Sequence, residues 1–203
     1  MNVAMSSTQK NHSLSDLLAG IAVVPADDDL IVTGISIDSR EVSAGDLFIA
    51  LPGSRQHGSL FIDDAITRGA SSVVFDAAAE LPHRQDSDVP VIKVPELSMQ
   101  AGVIASRFYN EPSRGITVTG ITGTNGKTTC SVLLAQAQNF LGARSSVIGT
   151  LGSGLWGRLA KSTHTTPDAV TLQSQISQFR EQGSDELLME VSSHGLQQGR
   201  VSG

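Results

Sequence analysis

Ile116-Thr117-Val118-Thr119-Gly120-Ile121-Thr122-Gly123-Thr124-Asn125-Gly126-Lys127-Thr128-Thr129 is the stretch on which the fold turns. Ile116 to Thr122 is apolar and β-branched, as a buried strand is; Gly123 to Gly126 is a tight loop; Lys127 to Leu141 has helical character and stops at Gly142. A strand, a glycine loop and a helix in that order suit a polyphosphate. Glycines let backbone N–H groups turn inward, the helix N-terminus adds its positive end, lysine meets terminal phosphates, and the next hydroxyl can ligate a divalent cation. The loop departs from G-x-x-x-x-G-K-[ST], because Ile121 stands where the first glycine belongs. A glycine turn beside an exposed lysine is the plainer alternative, and the flanking strand and helix weigh against it.

Beyond this stretch the pattern keeps alternating. Ser145 to Gly149 is a strand; a glycine-rich run follows (Gly149, Gly152, Gly154, Gly157); Thr166-Pro167 supplies an N-cap and N1 proline for a helix to about Gln182; and Glu186 to Val191 is a third buried strand. Alternation of this kind predicts parallel strands with crossover helices. Three strands make a thin sheet with open edges, so this domain is expected to be truncated.

Upstream the same grammar is looser. A short helix at Leu14 to Ala19, capped by Ser13 or Ser15, precedes a solvated Asp27-Asp28-Asp29 turn. Strands are expected at Ile31 to Ile37, Leu47 to Leu51, Ser72 to Phe75 and Val89 to Val94. Helices are expected over Phe61 to Ala70 and Glu96 to Tyr109, the second broken at Asn110-Glu111-Pro112-Ser113. The chain thus divides into residues 1–110, a mixed α/β domain, and residues 111–203.

Composition narrows the function classes. The 203 residues carry 14 Lys+Arg against 20 Asp+Glu, a net charge of −6 that argues against a general nucleic-acid binder. The imbalance is uneven: residues 1–110 hold 14 acidic and 7 basic side chains, residues 111–203 hold 6 and 7. No apolar run is long enough to cross a bilayer and the start is polar, so no membrane contact and a cytoplasmic location are expected. Cys130 is the only cysteine and falls on the helix after the phosphate loop, where packing is the simplest role.

The second chemical candidate is Glu190, which follows Leu187-Leu188-Met189 at the carboxyl end of a parallel strand. An isolated glutamate there is ordinarily a cap or a solvated residue. Beside a phosphate loop on the same rim it becomes a Mg²⁺ carboxylate. Taken separately, His164-Thr165-Thr166-Pro167-Asp168 is a helix cap, Asp38-Ser39-Arg40 and Ser54-Arg55-Gln56 are loops at strand ends, and Arg200 is a surface charge.

Together these pieces resemble the Mur ligase superfamily over nearly the whole chain. Asp38-Ser39-Arg40, Gly45-Asp46-Leu47-Phe48-Ile49-Ala50, Gly53 and Gly58 resemble its uridine-nucleotide-binding domain, and Gly123 to Thr129 its phosphate loop. Thr165-Thr166-Pro167, Glu190-Val191-Ser192-Ser193-His194-Gly195-Leu196 and Arg200 resemble the members that add a diamino acid to UDP-MurNAc-L-Ala-D-Glu. The resemblance implies an α/β fold: a mixed α/β UDP-binding domain followed by a truncated parallel-sheet P-loop ATPase domain. It implies ATP and Mg²⁺ as cofactors, and a UDP-MurNAc-dipeptide and a diamino acid, meso-diaminopimelate over lysine, as partners. ATP would phosphorylate the dipeptide carboxylate and the amine would attack the acyl phosphate, a step of peptidoglycan precursor synthesis.

Residue by residue, the resemblance puts ATP on Gly123, Thr124, Asn125, Gly126, Lys127, Thr128 and Thr129, Mg²⁺ on Thr128 and Glu190, and catalysis on Lys127 and Glu190. Ile37, Ser39, Ser54, Arg55 and Gln56 would hold the uridine diphosphate end. His164, Thr165, Thr166, Ser192, Gln198 and Arg200 would hold the muramoyl-peptide end. Family members are more than twice this long, so the chain is expected to be an N-terminal portion, inactive alone, of a protein that is a monomer when complete. A non-catalytic nucleotide- or UDP-sugar-binding module is the alternative.

Overall fold

Runs of apolar and β-branched residues supply two four-stranded sheets in the computed structural model, which describes residues 11–53, 56–81, 87–162 and 164–203. Contacts divide the chain between Leu97 and Ser98 into two compact units.

In the first unit, β1 (His12–Ser13) pairs antiparallel with β2 (Ile31–Val32), and between them lies α1 (Leu14–Leu17). Ser13 caps that helix, its hydroxyl accepting the Asp16 N–H, while the Asp29 carboxylate accepts from Ser15. The run predicted as one strand over Ile31–Ile37 divides at Thr33, whose N–H turns to the Gly45 carbonyl. Gly34–Ser36 then forms β3. With β4 (Asp46–Ala50), β5 (Ser72–Asp76) and β6 (Val91–Val94) it makes an all-parallel sheet in sequential order. The crossover helix α2 (Ile62–Thr67) buries Ile62 and Ala65 against Phe48, Ala50, Val73 and Phe75. Two-residue periodicity puts those four on one face of the sheet.

Helix α3 (Leu97–Phe108) starts at the last residue of the first unit. The second unit continues with β7 (Thr117–Ile121), α4 (Lys127–Phe140), β8 (Ser145–Gly149), β9 (Gly152–Leu155), α5 (Ala169–Glu181), β10 (Glu186–Glu190) and α6 (Ser193–Gln197). The sheet order is β7-β10-β8-β9, with β10 parallel to both neighbours. Alternation along β10 serves both layers. Leu187 and Met189 join Ile148, Leu172, Ile176 and Phe179 on the α5 side, whereas Leu188 joins Val147 and Ala135 on the α4 side.

Two expectations are corrected. The glycine-rich run contains a fourth strand, β9, which folds back antiparallel on β8. Gly152 and Gly154 have positive φ and lie against the 158–160 backbone, so no periodicity of side chains announced it. The cap of α5 is Asp168, not Thr166: the Asp168 carboxylate accepts the Thr171 N–H at 2.9 Å, and Thr166 is buried and bonded elsewhere.

Strand β7 forms an edge of its sheet and is largely exposed, and α4 leaves Leu133, Leu134 and Phe140 exposed. Packing therefore weighs on β10. Leu187→Ala, at a fully buried central position, is expected to cost about 2–5 kcal/mol. Val118→Ala, on the edge and 38% exposed, should cost under about 1 kcal/mol. Urea unfolding of the two variants measures the difference.

Candidate functional site

The phosphate loop leaves β7 at Ile121 and enters α4 at Lys127. Gly126 caps the helix in the left-handed conformation (φ 82°), where a side chain would be strained. Residues 122–126 are exposed, and the N-terminus of this 14-residue helix points its N–H groups and positive dipole end at the loop. The Lys127 ammonium folds back to donate to the Gly123 carbonyl at 2.7 Å, so it lies over the space an anion would fill.

Glu190 ends β10 in register with Ile121, and the next N–H, of Val191, donates to the Ile121 carbonyl at 2.8 Å. Being two residues from Leu188, its side chain lies on the α4 side of the sheet. The carboxylate is 1% exposed and fully engaged. It accepts from Thr128 Oγ1 at 2.9 Å, from the Thr150 N–H at 2.8 Å and from Thr150 Oγ1 at 3.2 Å. Thr128 and Glu190, 62 residues apart in sequence, thus meet. One carboxylate and one hydroxyl are hard oxygen ligands, the kind Mg²⁺ takes alongside substrate phosphates. No group of three or more His, Cys, Asp or Glu suited to a metal exists among the described residues.

The 164–200 segments gather around the end of β10. Thr165 Oγ1 lies 3.3 Å from Thr150 Oγ1. Buried Thr166 donates its hydroxyl to the Glu190 carbonyl and accepts the Ser192 N–H, both at 3.0 Å. Arg200 donates to the Thr166 carbonyl at 3.0 Å and to Gln198 Oε1 at 2.9 Å. Ser192 Oγ is the N-cap of α6, accepting from Gly195 N–H. Of the predicted set, His164 is exposed, and its backbone N–H and carbonyl bond to the Ser162 hydroxyl.

In the first unit Ile37 and Ser39 follow β3, and Gln56 follows β4, so all three sit on one rim at the carboxyl ends of adjacent parallel strands, where α/β sheets bind ligands. Ser54 and Arg55 lie outside the described residues. Asp38 caps the 3₁₀ turn Ser39–Glu41 and accepts from Arg40 Nε at 2.9 Å. The Ser39 hydroxyl and the Arg68 guanidinium, which pairs with Asp64 at 3.2 Å, hold the Asp64 carboxyl below its usual range.

Thr150 and Gly149, at the Glu190 carboxylate, were not among the expected site residues. The position of Gly149-Thr150 at the end of a central parallel strand was the available signal. A cavity of about 320 Å³ lies among Val118, Leu172, Ile176, Met189 and Val201, lined from the α5 side; it touches none of the predicted site residues.

The chain is similar to known proteins over most of its length. Residues 31–109 match the Mur ligase family, catalytic domain, and residues 121–203 the Mur ligase middle domain. The UDP-N-acetylmuramoyl-L-alanyl-D-glutamate--2,6-diaminopimelate ligase of Pseudomonas aeruginosa is 48% identical over 179 residues, which cover 87% of this chain and 36% of the relative. The protein of the same name from Chromobacterium violaceum is 45% identical over 174 residues, covering 86% and 35%. A solved structure of such a ligase superposes with a TM-score of 0.80 at 30% identity, covering 95% of this chain and 38% of its own. MurF from Acinetobacter baumannii, at 18% identity and a TM-score of 0.58, shares the fold. The chain spans little more than a third of the length of the curated relatives it matches.

The Asp38–Arg40 pair generates a pH test. The Arg40 hydrogen bond lowers the Asp38 carboxyl from an ordinary 3.8 to about 2. A depressed folded-state value stabilises above the unfolded value and is lost on acidification. The pair's contribution, small because Arg40 is exposed, is thus complete above about pH 4 and disappears toward pH 2. Carboxyl NMR titration should place Asp38 near 2 and, in Arg40→Ala, back toward 3.8.

Proposed function

The chain belongs to the Mur ligase family, and from that premise we propose that it carries the nucleotide and UDP-sugar sites of an ATP-dependent ligase. The reaction joins a diamino acid, 2,6-diaminopimelate, to UDP-N-acetylmuramoyl-L-alanyl-D-glutamate. The observation that carries the reading is the Thr128–Glu190 contact at 2.9 Å, made where a glycine loop meets a helix N-terminus. Support for the substrate comes from the names of relatives 45–48% identical. In this reading the first domain runs to residue 110, and the protein acts in the cytoplasm. Among the described residues no helix is long and apolar enough to cross a membrane.

A carboxylate oxygen of the substrate attacks the γ-phosphorus of ATP and ADP leaves; the amine then attacks the acyl carbon, loses a proton and expels phosphate. Such phosphoryl transfer is catalysed mainly by positioning and by stabilising spread negative charge. The N–H groups of Gly123 to Thr129 cradle the phosphates. Lys127 exchanges the Gly123 carbonyl for phosphate oxygens, a short swing of a flexible stem. Thr128 and Glu190 would hold Mg²⁺, which supplies charge neutralisation at the phosphates. Thr165, Thr166, Ser192, Gln198 and Arg200, with His164 at their border, hold the peptide end beside the γ-phosphate. Ile37, Ser39, Ser54, Arg55 and Gln56 hold the uridine diphosphate end.

Calorimetry on the chain with Mg-ATP tests the nucleotide site. Saturable binding is expected, weakened roughly 10- to 100-fold in Lys127→Ala, the loss of one hydrogen-bonded charge. Binding that is unaffected by the substitution, or absent, overturns the reading. UDP-MurNAc-L-Ala-D-Glu should bind in a separate titration that survives Lys127→Ala.

A further inference from the structure

Glu190 is seated by Gly149 and Thr150, neither of which was expected as a site residue. A buried carboxylate must find donors or forfeit several kcal/mol of hydration. Thr128 supplies one, but in the proposed function that hydroxyl is also needed by a cation. The other two donors, N–H and O–H, both come from Thr150, and they reach different oxygens, Oε1 at 2.8 Å and Oε2 at 3.2 Å. Two anchors on two oxygens fix the rotation of the carboxylate as well as its position.

The preceding residue makes the room. Gly149 does not have a positive φ, so its backbone does not demand glycine. Its surroundings do: a Cβ built there would lie 2.2 Å from Glu190 Oε1 and 2.8 Å from the carboxyl carbon. The carboxylate occupies the space of the missing side chain. On its far side the Thr150 hydroxyl meets that of Thr165 at 3.3 Å. Since Thr150 gives its proton to Glu190, Thr165 is the donor in that contact.

We propose that Gly149 and Thr150 form a seat that positions Glu190 against Thr128, Gly149 by leaving the space and Thr150 by clamping both oxygens, and that Thr150 links this carboxylate to Thr165. Both are positioning residues. The seat serves the cation site of the proposed function and rests on that reading for its purpose, though not for its geometry.

Two measurements on the chain separate the seat from that purpose. In the ligand-free protein, side-chain NMR couplings should report one Glu190 rotamer in the wild type and in Thr150→Ser, an averaged set in Thr150→Val, and a changed rotamer in Gly149→Ala. Thr150 is exposed, so its isosteric valine should leave folding intact, and amide spectra verify that. With nucleotide, the quantity read is the ratio of ATP affinities with Mg²⁺ and with EDTA. It should fall about 10-fold or more in Thr150→Val and Gly149→Ala, as for other residues that orient a metal ligand, and stay within about 3-fold of wild type in Thr150→Ser. An unchanged single rotamer in both Thr150→Val and Gly149→Ala overturns the seat, and an unchanged Mg²⁺ ratio overturns its service to a cation. A wild-type chain that binds no nucleotide overturns the functional reading alone, because the rotamer measurement still decides the seat.

Discussion

A carboxylate with 1% of its surface exposed organises the second unit. A charge so deep in the protein is tolerable only where both oxygens have donors close by, and the requirement propagates outward. Thr128 must lie on the first turn of α4, which fixes how the helix approaches the sheet. Thr150 must follow β8 directly, which fixes where that strand ends. The register Glu190↔Ile121 brings the phosphate loop off the sheet at the level of the carboxylate. A slip of one residue along β10 would send Glu190 to the α5 side, into an apolar cluster with nothing to pair it.

The first unit reaches a related arrangement by different means. The carboxyl edge of its parallel strands carries short 3₁₀ turns in place of the long helix N-terminus. Charge is placed by side chains, with Arg40 on Asp38 and Arg68 on Asp64.

What was legible in the sequence follows from how local each signal is. Strands β5, β8 and β10 and helices α3 and α4 announce themselves through apolar periodicity and agree with expectation to within a residue or two. Thr128 and Glu190 were legible because each stands next to a strong local pattern, a glycine loop in one case and a buried strand in the other. β9 was not, since it is built from glycines whose contacts are with backbone and leave no side-chain rhythm. The α5 cap was misassigned because Thr-Pro-Asp offers two capping groups, and only the tertiary bond from Thr166 to β10 removes one from competition. Thr150 is an ordinary threonine after a glycine until a residue 40 positions away folds against it.

The place of β10 has a consequence for the order of events in folding. It lies between β7 and β8 in space but follows both in the chain, and β7 has no other strand partner among the described residues. Strands β8 and β9 can zip early as a local antiparallel pair, whereas β7 must wait for a segment 69 positions along to arrive before its hydrogen bonds are made. On a ribosome delivering residues one at a time, the glycine loop emerges long before its supporting strand. In that interval the nascent chain shows an unpaired β-branched strand beside an apolar helix flank, the kind of surface that chaperones recognise and that aggregates capture.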